Sequence, residues 1–340
     1  MRLITIAFFP VCCGLILSGC APVGGSPLPP APVPSLAPPT TNAAVAPQNL
    51  LVTLVPLPDV TATTTPRPLV PEFAHIVTIV FENKEFGTVI GSPKMPYFNE
   101  LARSYTLLTQ FYAITHPSLP NYLAMIGGDT FGITFDCYSC LTDGTTFPDL
   151  VEASGRTWKT YQEDMPSPCF NGGESGNYAI KHNPFMYFKP IRLDAARCAR
   201  SVVPYTDLAV DIATGNLPNY IFITPNLCND AHDCEIDVSD NWLKVNVPAL
   251  QAVLDLQGQP YLIILTWDEG QGDHSCCGLP QQAGGRIATI LISPQAKNGF
   301  EDDTPYTIYS MLKTMAESWH LQYLGHAADQ ENVLITAPWK

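Results

Sequence analysis

The sequence predicts an α/β fold in which helices cover a central sheet. Four short apolar runs, rich in β-branched residues, are typical of strands that are buried on both faces. They are HIVTIVFEN (75–83), NYIFITPN (219–226), YLIILTWDEG (261–270) and RIATILISP (286–294). Helical segments are expected between and after them, at YFNELARSY (97–105), DNWLKVNVPALQAVLDL (240–256) and YTIYSMLKTMAESWHL (306–321). This mixture of strands and helices predicts a sheet with helical layers.

The N-terminus is typical of an export signal. Arg2 is followed by an apolar run that is short for a membrane span and interrupted by Pro10. The run ends in LSGC, which resembles a bacterial lipobox, and this resemblance implies cleavage before Cys20 and attachment of lipid to its sulfur. An ordinary signal peptide cleaved nearby is the alternative. Residues 1–19 are therefore predicted to be a lipoprotein signal peptide, and in both cases the mature protein works outside the cytoplasm.

The next segment, residues 20–71, is predicted to carry the lipid-anchor cysteine and a linker. Residues 21–71 hold 14 of the 33 prolines and only two charged residues, Asp59 and Arg67. Such a composition cannot bury a core, and proline-rich segments are extended, semi-rigid spacers. We expect a stalk that holds a folded domain away from a membrane surface.

The remaining residues, 72–340, are predicted to form one catalytic domain, since about 270 residues is a common size for a single α/β enzyme domain. The chain has 31 acidic and 17 basic residues and a formal net charge of −14. This balance argues against a nucleic-acid partner, which would be bound mainly by lysine and arginine on phosphates. An anionic substrate would therefore need a bound cation. No obligate protein partner is evident.

Cysteine usage agrees with an exported domain. Eight cysteines lie in residues 72–340, and an even count outside the cytoplasm predicts disulfides whose pairing the sequence does not decide. They are Cys137, Cys140, Cys169, Cys198, Cys228, Cys234, Cys276 and Cys277. The alternative is a zinc site at CYSC (137–140), although no second pair with that spacing follows. A local bridge between Cys228 and Cys234 is plausible.

Polar side chains follow three of the predicted strands where each strand ends. These side chains are Glu82 and Asn83 after the first, Asn226, Asp230 and His232 after the second, and Asp268, Glu269, Asp273 and His274 after the third. Ligands in open α/β sheets bind beyond the carboxyl ends of strands, so one functional edge is expected. A solvated loop is the alternative for any one of these motifs taken alone.

Clustered carboxylates at this edge predict a divalent metal site. Like charges repel and burial raises the cost of ionisation, and a bound cation relieves both. Glu82, Asn83, Asp268 and Glu269 offer oxygen ligands without thiolate, which suits Mg²⁺, Ca²⁺ or Mn²⁺. The hydroxyl of Ser118 would complete the shell, and the metal would lower its pKa and neutralise phosphate charge.

The segment THPSLPNYLAMIGG (115–128) allows two interpretations of Ser118. Serine before a short apolar helix is a favoured N-cap, and proline suits the first helical turn. Alternatively Ser118 is a nucleophile, because a helix N-terminus collects free N–H groups and the positive end of the helix dipole, where a phosphate can bind. The flanking His116 and Asn121 and the three strand ends favour the nucleophile.

Taken in order, the motifs resemble one family. They are VFENKEFGTVIG, THPSLPNYLAMIGG, KHNPFMYF, ITPNLCNDAHDCEIDVSDNWL, LTWDEG and YSMLKTMAESWHL. The chain resembles, over essentially the whole domain, the bacterial and fungal phosphoesterase family of acid phosphatases and phosphatidylcholine-type phospholipases C, within the alkaline-phosphatase-like superfamily. The resemblance implies a three-layer α/β/α sandwich with a central, mostly parallel sheet. It also implies a metal held by Glu82, Asn83, Asp268, Glu269 and the nucleophile.

The resemblance also implies roles at the phosphate. SLPNY is similar to the nucleophile turn of nucleotide pyrophosphatases, where threonine replaces Ser118 and the asparagine at the position of Asn121 contacts phosphate. His232 matches a histidine that the family uses at the phosphate, and His116 and His274 are expected catalytic partners. After the third strand the chain reads GQGDHSCCG, where many members have a glycine-rich segment and DHV.

Other polar residues divide into expected substrate contacts and structural positions. Asn83 is expected to contact substrate as well as metal. In KHNPFMYF, Lys181 or His182 could approach substrate, or both could be packing residues on a loop. The surroundings of His75, His320 and His326 suggest no chemistry.

Together with these patterns, the resemblance implies an exported, metal-dependent phosphoesterase anchored by lipid to the bacterial cell envelope. An acid phosphatase that cleaves phosphate monoesters through a phosphoserine is favoured, with Ser118 attacking and His232 protonating the leaving oxygen. The alternatives are a phospholipase C-like phosphodiesterase and a surface lipoprotein that only binds. The substrate would be a phosphorylated small molecule or a phospholipid head group.

Overall fold

The computed structural model describes residues 68–340. The predicted signal peptide, Cys20 and most of the predicted linker lie outside the described residues. Across residues 68–340, no helix is both long enough and apolar enough to cross a membrane.

Eleven strands form within the described part of the chain. They are β1 (His75–Phe81), β2 (Thr106–Tyr112), β3 (Trp158–Gln162), β4 (Glu174–Ser175), β5 (Tyr178–Ala179), β6 (Val202–Pro204), β7 (Tyr220–Thr224), β8 (Tyr261–Trp267), β9 (Arg286–Ile292), β10 (Phe300–Asp302) and β11 (Tyr306–Thr307). The four strands expected from apolar runs are β1, β7, β8 and β9. β2 and β3 were missed by the sequence analysis, because TLLTQFY and WKTYQ mix polar with apolar residues.

One large sheet dominates the domain, in the order β10-β2-β9-β8-β1-β7-β3-β6, with β11 beside β2. Every pairing in it is parallel except the two made by β9. β4 and β5 form a separate two-stranded antiparallel sheet. The expectation of a mostly parallel central sheet is confirmed.

Nine α-helices lie among these strands in the described residues. They are α1 (Phe86–Val89), α2 (Pro96–Ser104), α3 (Ser118–Gly127), α4 (Phe147–Ala153), α5 (Lys189–Arg192), α6 (Ala195–Ser201), α7 (Asp207–Thr214), α8 (Ile236–Gln257) and α9 (Ile308–Ser318). The three helices predicted from sequence correspond to α2, α8 and α9.

Helices cover both faces of the sheet, as strand alternation shows. On β1, Thr78 donates to the sulfur of Met315 in α9, whereas Phe81 packs edge-on against Trp242 in α8. Residues three apart on a strand point to opposite faces, so α8 and α9 lie on opposite sides. The α/β/α sandwich is therefore confirmed.

The helix α3 can be placed by the same reasoning. Tyr122 of α3 contacts Phe222 of β7, the residue paired with Thr78 of β1. Because directly paired residues share a face, α3 lies on the α9 side of the sheet. Its C-terminal Gly128 has φ of 75° and lies against the carbonyl of Leu324, where a side chain would collide.

The eight cysteines of the domain form four disulfides. The pairs are Cys137–Cys140, Cys169–Cys198, Cys228–Cys234 and Cys276–Cys277. The expected bridge between Cys228 and Cys234 is confirmed. The alternative of a zinc site at CYSC is wrong, because its two cysteines pair with each other.

Candidate active site

The predicted functional edge forms where three neighbouring parallel strands end. Glu82 follows β1 and Asp268 follows β8, while Asp230 lies in the loop after β7. Backbone bonds hold these ends together: the Glu82 amide donates to the Asp230 carbonyl at 2.8 Å, and the Asp268 amide donates to the Phe81 carbonyl at 2.9 Å. The sheet topology thus places three acids side by side.

Ser118 is the first residue of α3, and its hydroxyl points into this acidic cluster. The hydroxyl donates to Glu82 Oε2 at 3.0 Å and also lies 3.4 Å from Glu269 Oε1 and 3.5 Å from Asn83 Oδ1. Pro117, not Ser118, occupies the N-cap position of this helix, and the N-cap residue makes no side-chain cap hydrogen bond. The N-cap interpretation is therefore wrong for this hydroxyl, which is directed at the acids.

The five residues expected to hold a metal lie together. Asp268 Oδ1 accepts the backbone amide of Asn83 at 2.9 Å, and the Asn83 side-chain amide donates to Glu82 Oε2 at 3.0 Å. Ser118 lies 3.0 Å from Glu82 and 3.4 Å from Glu269, so the five residues form one oxygen-rich cluster. Among the described residues, Oδ2 of Asp268 is buried without a hydrogen-bond partner. A buried carboxylate oxygen without a donor is what a hard cation would satisfy, so these residues form a possible metal site.

Burial and mutual repulsion disturb the acidity of this cluster. Glu82 and Asp268 are fully buried. Burial, followed by the charges of Asp268 and Asp230, raises the pKa of Glu82 well above its ordinary value. Burial, followed by the charge of Glu269, raises the pKa of Asp268 to about 8. A bound cation would oppose both effects.

His182 lies between two of the clustered acids, Glu82 and Asp230. Its Nε2 lies 3.3 Å from Glu82 Oε1 and its Nδ1 lies 3.3 Å from Asp230 Oδ2. The ring stacks on Tyr122 with 5.4 Å between ring centroids, and Tyr122 donates to Glu82 Oε1 at 2.5 Å. Burial, with the charges of Lys181 and His232, lowers the pKa of His182 well below its ordinary value. A neutral His182 retains a lone pair for a proton or a cation.

His232 lies at the rim of the same cluster. Its Nδ1 is 2.6 Å from Asp233 Oδ1, and its Nε2 is 3.1 Å from the Lys181 ammonium. One ligand atom from each of Glu82, His182 and His232 falls within 4.8 Å of the others. The structure therefore brings His232 and His182 beside the metal-site acids.

His116 also reaches the cluster, through a different contact. Its Nδ1 lies 2.5 Å from Glu269 Oε2, and its Nε2 is 3.2 Å from the Gly272 carbonyl. The hydrogen bond to Glu269 raises the pKa of His116 to about 9, against the opposing effect of burial. His116 is therefore a cation at neutral pH, bonded to Glu269 of the cluster.

Two predicted site residues are not brought to the cluster. The Asn121 carbonyl accepts the amides of Ile114 and Thr115, and its NH₂ donates to the carbonyls of Thr115 and Pro117. Asn121 therefore holds the turn before Ser118, with its side chain fully used by backbone groups. The ring of His274 is 72% exposed and lies 3.4 Å from Glu85, away from the serine's contacts.

Comparison with known proteins shows the family. Residues 92–322 match the model of the Phosphoesterase family. The chain belongs to the Phosphoesterase family.

Relatives in this family carry phosphatase names. The chain is 35% identical to the phosphate-repressible acid phosphatase of Penicillium chrysogenum, over 74% of this chain and 60% of that protein. It is 30% identical to a phosphatidylinositol-3-phosphatase of Mycobacterium tuberculosis, over 76% of this chain and 81% of that protein. The chain spans about three fifths of the length of the fungal acid phosphatases that it matches.

Solved structures confirm the fold of this Phosphoesterase member. A Vibrio parahaemolyticus protein in the alkaline phosphatase superfamily superposes with a TM-score of 0.51 at 13% identity, covering 80% of this chain and 72% of that chain. At this identity the likeness concerns the fold, which agrees with the mostly parallel sheet between helical layers described above.

Sequence reasoning missed two residues of the site, Tyr122 and Asp136, and left the role of a third, Lys181, open. Tyr122 contacts Glu82 because it lies one helical turn after Ser118, a spacing that could have indicated it. Lys181 was proposed only as one of two alternatives with His182. Asp136 was not singled out, since a lone aspartate in a loop gives no signal, yet it bonds both α3 and Lys181.

Proposed function

We propose that this chain is an exported, metal-dependent acid phosphatase that hydrolyses phosphate monoesters through a phosphoserine intermediate. One observation carries the proposal: the Ser118 hydroxyl, at the start of a ten-residue helix, points into buried acids. A nucleophile, an anion-favouring helix N-terminus and a possible cation site thus coincide. The names of the relatives support the same chemistry.

Monoesters are favoured over diesters. The relatives are named as acid phosphatases and a phosphatidylinositol-3-phosphatase, and these phosphatase names support a monoester substrate for this chain. The substrate is accordingly a phosphorylated small molecule or a phosphorylated lipid head group. A phospholipase C-like diesterase remains the alternative outcome of the test below, as does a protein that only binds.

The metal would be held by Glu82, Asn83, Asp268, Glu269 and the Ser118 oxygen. This oxygen-rich set suits Mg²⁺, Ca²⁺ or Mn²⁺. Such a cation, when bound, lowers the pKa of a coordinated hydroxyl and neutralises charge on phosphoryl oxygens.

In the first step, Ser118 Oγ forms a bond to phosphorus while the bond from phosphorus to the leaving oxygen breaks. The serine proton passes to Glu82 Oε2, the acceptor 3.0 Å away. The leaving oxygen takes a proton from the Nε2 of protonated His232, which exchanges its contact with the Lys181 ammonium for the leaving oxygen when substrate binds, while Asp233 at 2.6 Å orients the ring through Nδ1. An alcohol leaves, and the phosphoryl group stays on the serine.

In the second step, water attacks the phosphorus of the phosphoserine. His232 accepts a proton from this water, which restores its starting state. The bond between phosphorus and Ser118 Oγ breaks, and the serine oxygen recovers its proton from Glu82. The products are inorganic phosphate and the original enzyme, so atoms and charges balance.

The experiment follows the phosphoryl group. A phosphate ester labelled in its phosphoryl group is mixed with the full chain, quenched in acid during turnover and mapped by peptide. Label on the peptide that contains Ser118 is expected. Ser118→Ala should abolish the label and lower turnover by about three orders of magnitude or more, with the fold intact. Near-parental turnover of Ser118→Ala would overturn the proposal.

A second measurement separates the alternatives. Chromogenic phosphate mono- and diesters are compared with and without a chelator. Faster hydrolysis of the monoester, lost on chelation and restored by Mg²⁺, Ca²⁺ or Mn²⁺, is expected. Preference for the diester would favour the phosphodiesterase, and hydrolysis of neither ester would favour the binding protein.

Export and anchoring belong to the same proposal and rest on the sequence alone. LSGC followed by a proline-rich linker supports lipid attachment at Cys20. Cys20→Ala should release the protein from the membrane fraction without lowering the specific activity of the released protein. Membrane partition equal to that of the parent would contradict the anchor.

A further inference from the structure

Asp136 places a carboxylate at the N-terminus of the nucleophile helix. Its Oδ1 accepts the backbone amide of Leu119 at 3.0 Å. Leu119 directly follows Ser118, and the next residue, Pro120, has no N–H to donate. The first amide beside the serine is therefore occupied by an anion that belongs to the protein.

The same carboxylate also binds a cation of the site. Asp136 Oδ2 lies 3.2 Å from the ammonium of Lys181, which in turn lies 3.1 Å from His232 Nε2. Burial lowers the pKa of Lys181, but the charges of Asp136 and Glu82 outweigh burial and raise it. Lys181 is therefore a cation between the rim histidine and the serine helix.

A buried atom without a partner lies on the neighbour of His232, the histidine that Lys181 contacts. Within the described residues, Nε2 of His182 is buried without a hydrogen-bond partner, and the His182 and His232 rings lie with centroids 5.3 Å apart. The helix amide and the Lys181 ammonium are donors suited to the oxygens of a phosphoryl group.

A second helix of the domain shows what a purely structural cap looks like. Asp240 accepts two amides of α2, those of Tyr97 at 3.0 Å and Phe98 at 2.8 Å, and is 4% exposed. Asp136 instead accepts one amide of α3, and its side chain is 25% exposed. It lies on the connection between α3 and α4, and it can leave the helix without opening the core.

We propose that Asp136 occupies a position for phosphoryl oxygens beside Ser118 and is displaced when a phosphate ester binds. This inference deepens the proposed function and rests on it. Asp136 then sets affinity: the Leu119 amide and Lys181 become available to phosphate only in the fraction of molecules in which the carboxylate has moved away. Apparent affinity is reduced by that fraction, so removing the competing charge tightens phosphate binding.

Two substitutions test whether phosphate displaces Asp136, because they should change the phosphate Kd in opposite directions. Binding of inorganic phosphate to the full chain is measured by calorimetry at constant salt, pH and divalent metal. Asp136→Asn keeps an oxygen for the Leu119 amide and removes the charge, and it should lower the phosphate Kd about tenfold. Lys181→Gln removes a phosphate ligand and should raise the Kd about tenfold.

A purely structural ion pair predicts a different pattern. If Asp136 only orients Lys181, both variants weaken phosphate binding, and this result would overturn the proposal, as would an unchanged Kd for Asp136→Asn. If the asparagine variant folds poorly, the phosphate Kd is measured for Asp136→Ser instead, whose hydroxyl can still accept a hydrogen bond from the Leu119 amide. Asp143→Asn is the matched control, because Asp143 is an exposed acid of the same connection, paired with Lys189.

Failure of this inference is distinguishable from failure of the proposed function. Absence of phosphate-ester hydrolysis by the parent chain would refute the function, whatever the Kd values show. Normal hydrolysis together with a phosphate Kd that Asp136→Asn does not lower would refute only the role of Asp136. In steady-state assays, the expected signature of Asp136→Asn is a fall in the inhibition constant of phosphate about equal to the fall in Kd.

Discussion

Two regions of this domain contain buried acids, and they differ in what neutralises the charge. Near the start of β3, Asp211 accepts from Lys159 at 2.6 and 2.9 Å and from the Tyr161 hydroxyl at 2.6 Å. At the ends of β1 and β8, Glu82 and Asp268 are fully buried, and neither forms an ion pair with lysine or arginine within residues 68–340.

This difference separates the proposed active site from the region around Asp211 better than cavity size does. A cavity of about 650 Å³ lies beside Asp211 and Lys159, and one of about 940 Å³ lies beside His232 and Lys84. Both regions therefore have room for a ligand. An acid with its own cation stabilises the fold, whereas buried acids without one raise the free energy of the metal-free protein until a cation binds.

The largest expected effect compares an acid from each region. Glu82→Gln should remove the bound divalent metal and lower turnover by about three orders of magnitude, because Glu82 contacts both Ser118 and Tyr122. Asp211→Asn should leave metal content and turnover within about twofold of the parent, yet lower the free energy of unfolding by about 2 kcal/mol. Elemental analysis, steady-state kinetics and urea unfolding check these values.

Either of two metal analyses would contradict this comparison. Parental metal content in Glu82→Gln would show that the unpaired acids do not hold the metal. Loss of metal in Asp211→Asn, with the fold intact, would show that ion pairing does not separate the two regions.

A smaller effect is expected from Asp268 in the metal-free protein. Its pKa in the folded state is about 8, above that of an unfolded aspartate, so its contribution to stability is present below about pH 4 and is lost as pH rises through about 8. Asp268→Asn should therefore raise the melting temperature of the chelated protein by about 5 °C at pH 8. The gain should shrink on acidification and vanish near pH 4.

Thermal melts of both proteins in chelator, from pH 4 to pH 8.5, measure this difference. The same gain at every pH would mean that charge repulsion is not its cause. With metal present the sign should reverse, because the variant lacks a ligand that the parent retains.

The acids of this site could be predicted from the sequence, because their positions depend mainly on where each buried strand ends. Glu82 and Asp268 each follow a buried strand directly, and parallel neighbours end at the same edge. The position of Ser118 before an apolar helix allowed both an N-cap and a nucleophile, and its neighbours together with the family resemblance favoured the nucleophile. The fold class followed from the same apolar runs.

Contacts between loops could not be predicted in this way. Asp136 and Lys181 are 45 residues apart, and their pairing depends on how two connections pack over α3. His182 was expected to approach substrate, but its position between Glu82 and Asp230 is a tertiary contact across three segments. For Asn121, the resemblance implied a phosphate contact, whereas backbone groups of the turn use every hydrogen bond of its side chain.

The smallest expected effect concerns His274, which spacing placed in the site and the structure places outside the serine's contacts. Glu85, its neighbour at 3.4 Å, also accepts the amides of Gln271 and Gly272 at 3.1 Å, so the connection after β8 is held by Glu85 even without the imidazole. His274→Ala should therefore change kcat and KM for a phosphate monoester by less than about twofold. His232→Ala is the matched variant, and loss of a general acid there should lower kcat by about a hundredfold. Steady-state kinetics of the two alanine variants at one pH, with equal metal content confirmed, make the comparison direct. A loss in His274→Ala as large as that in His232→Ala would mean that the connection moves during catalysis and carries His274 to the leaving oxygen.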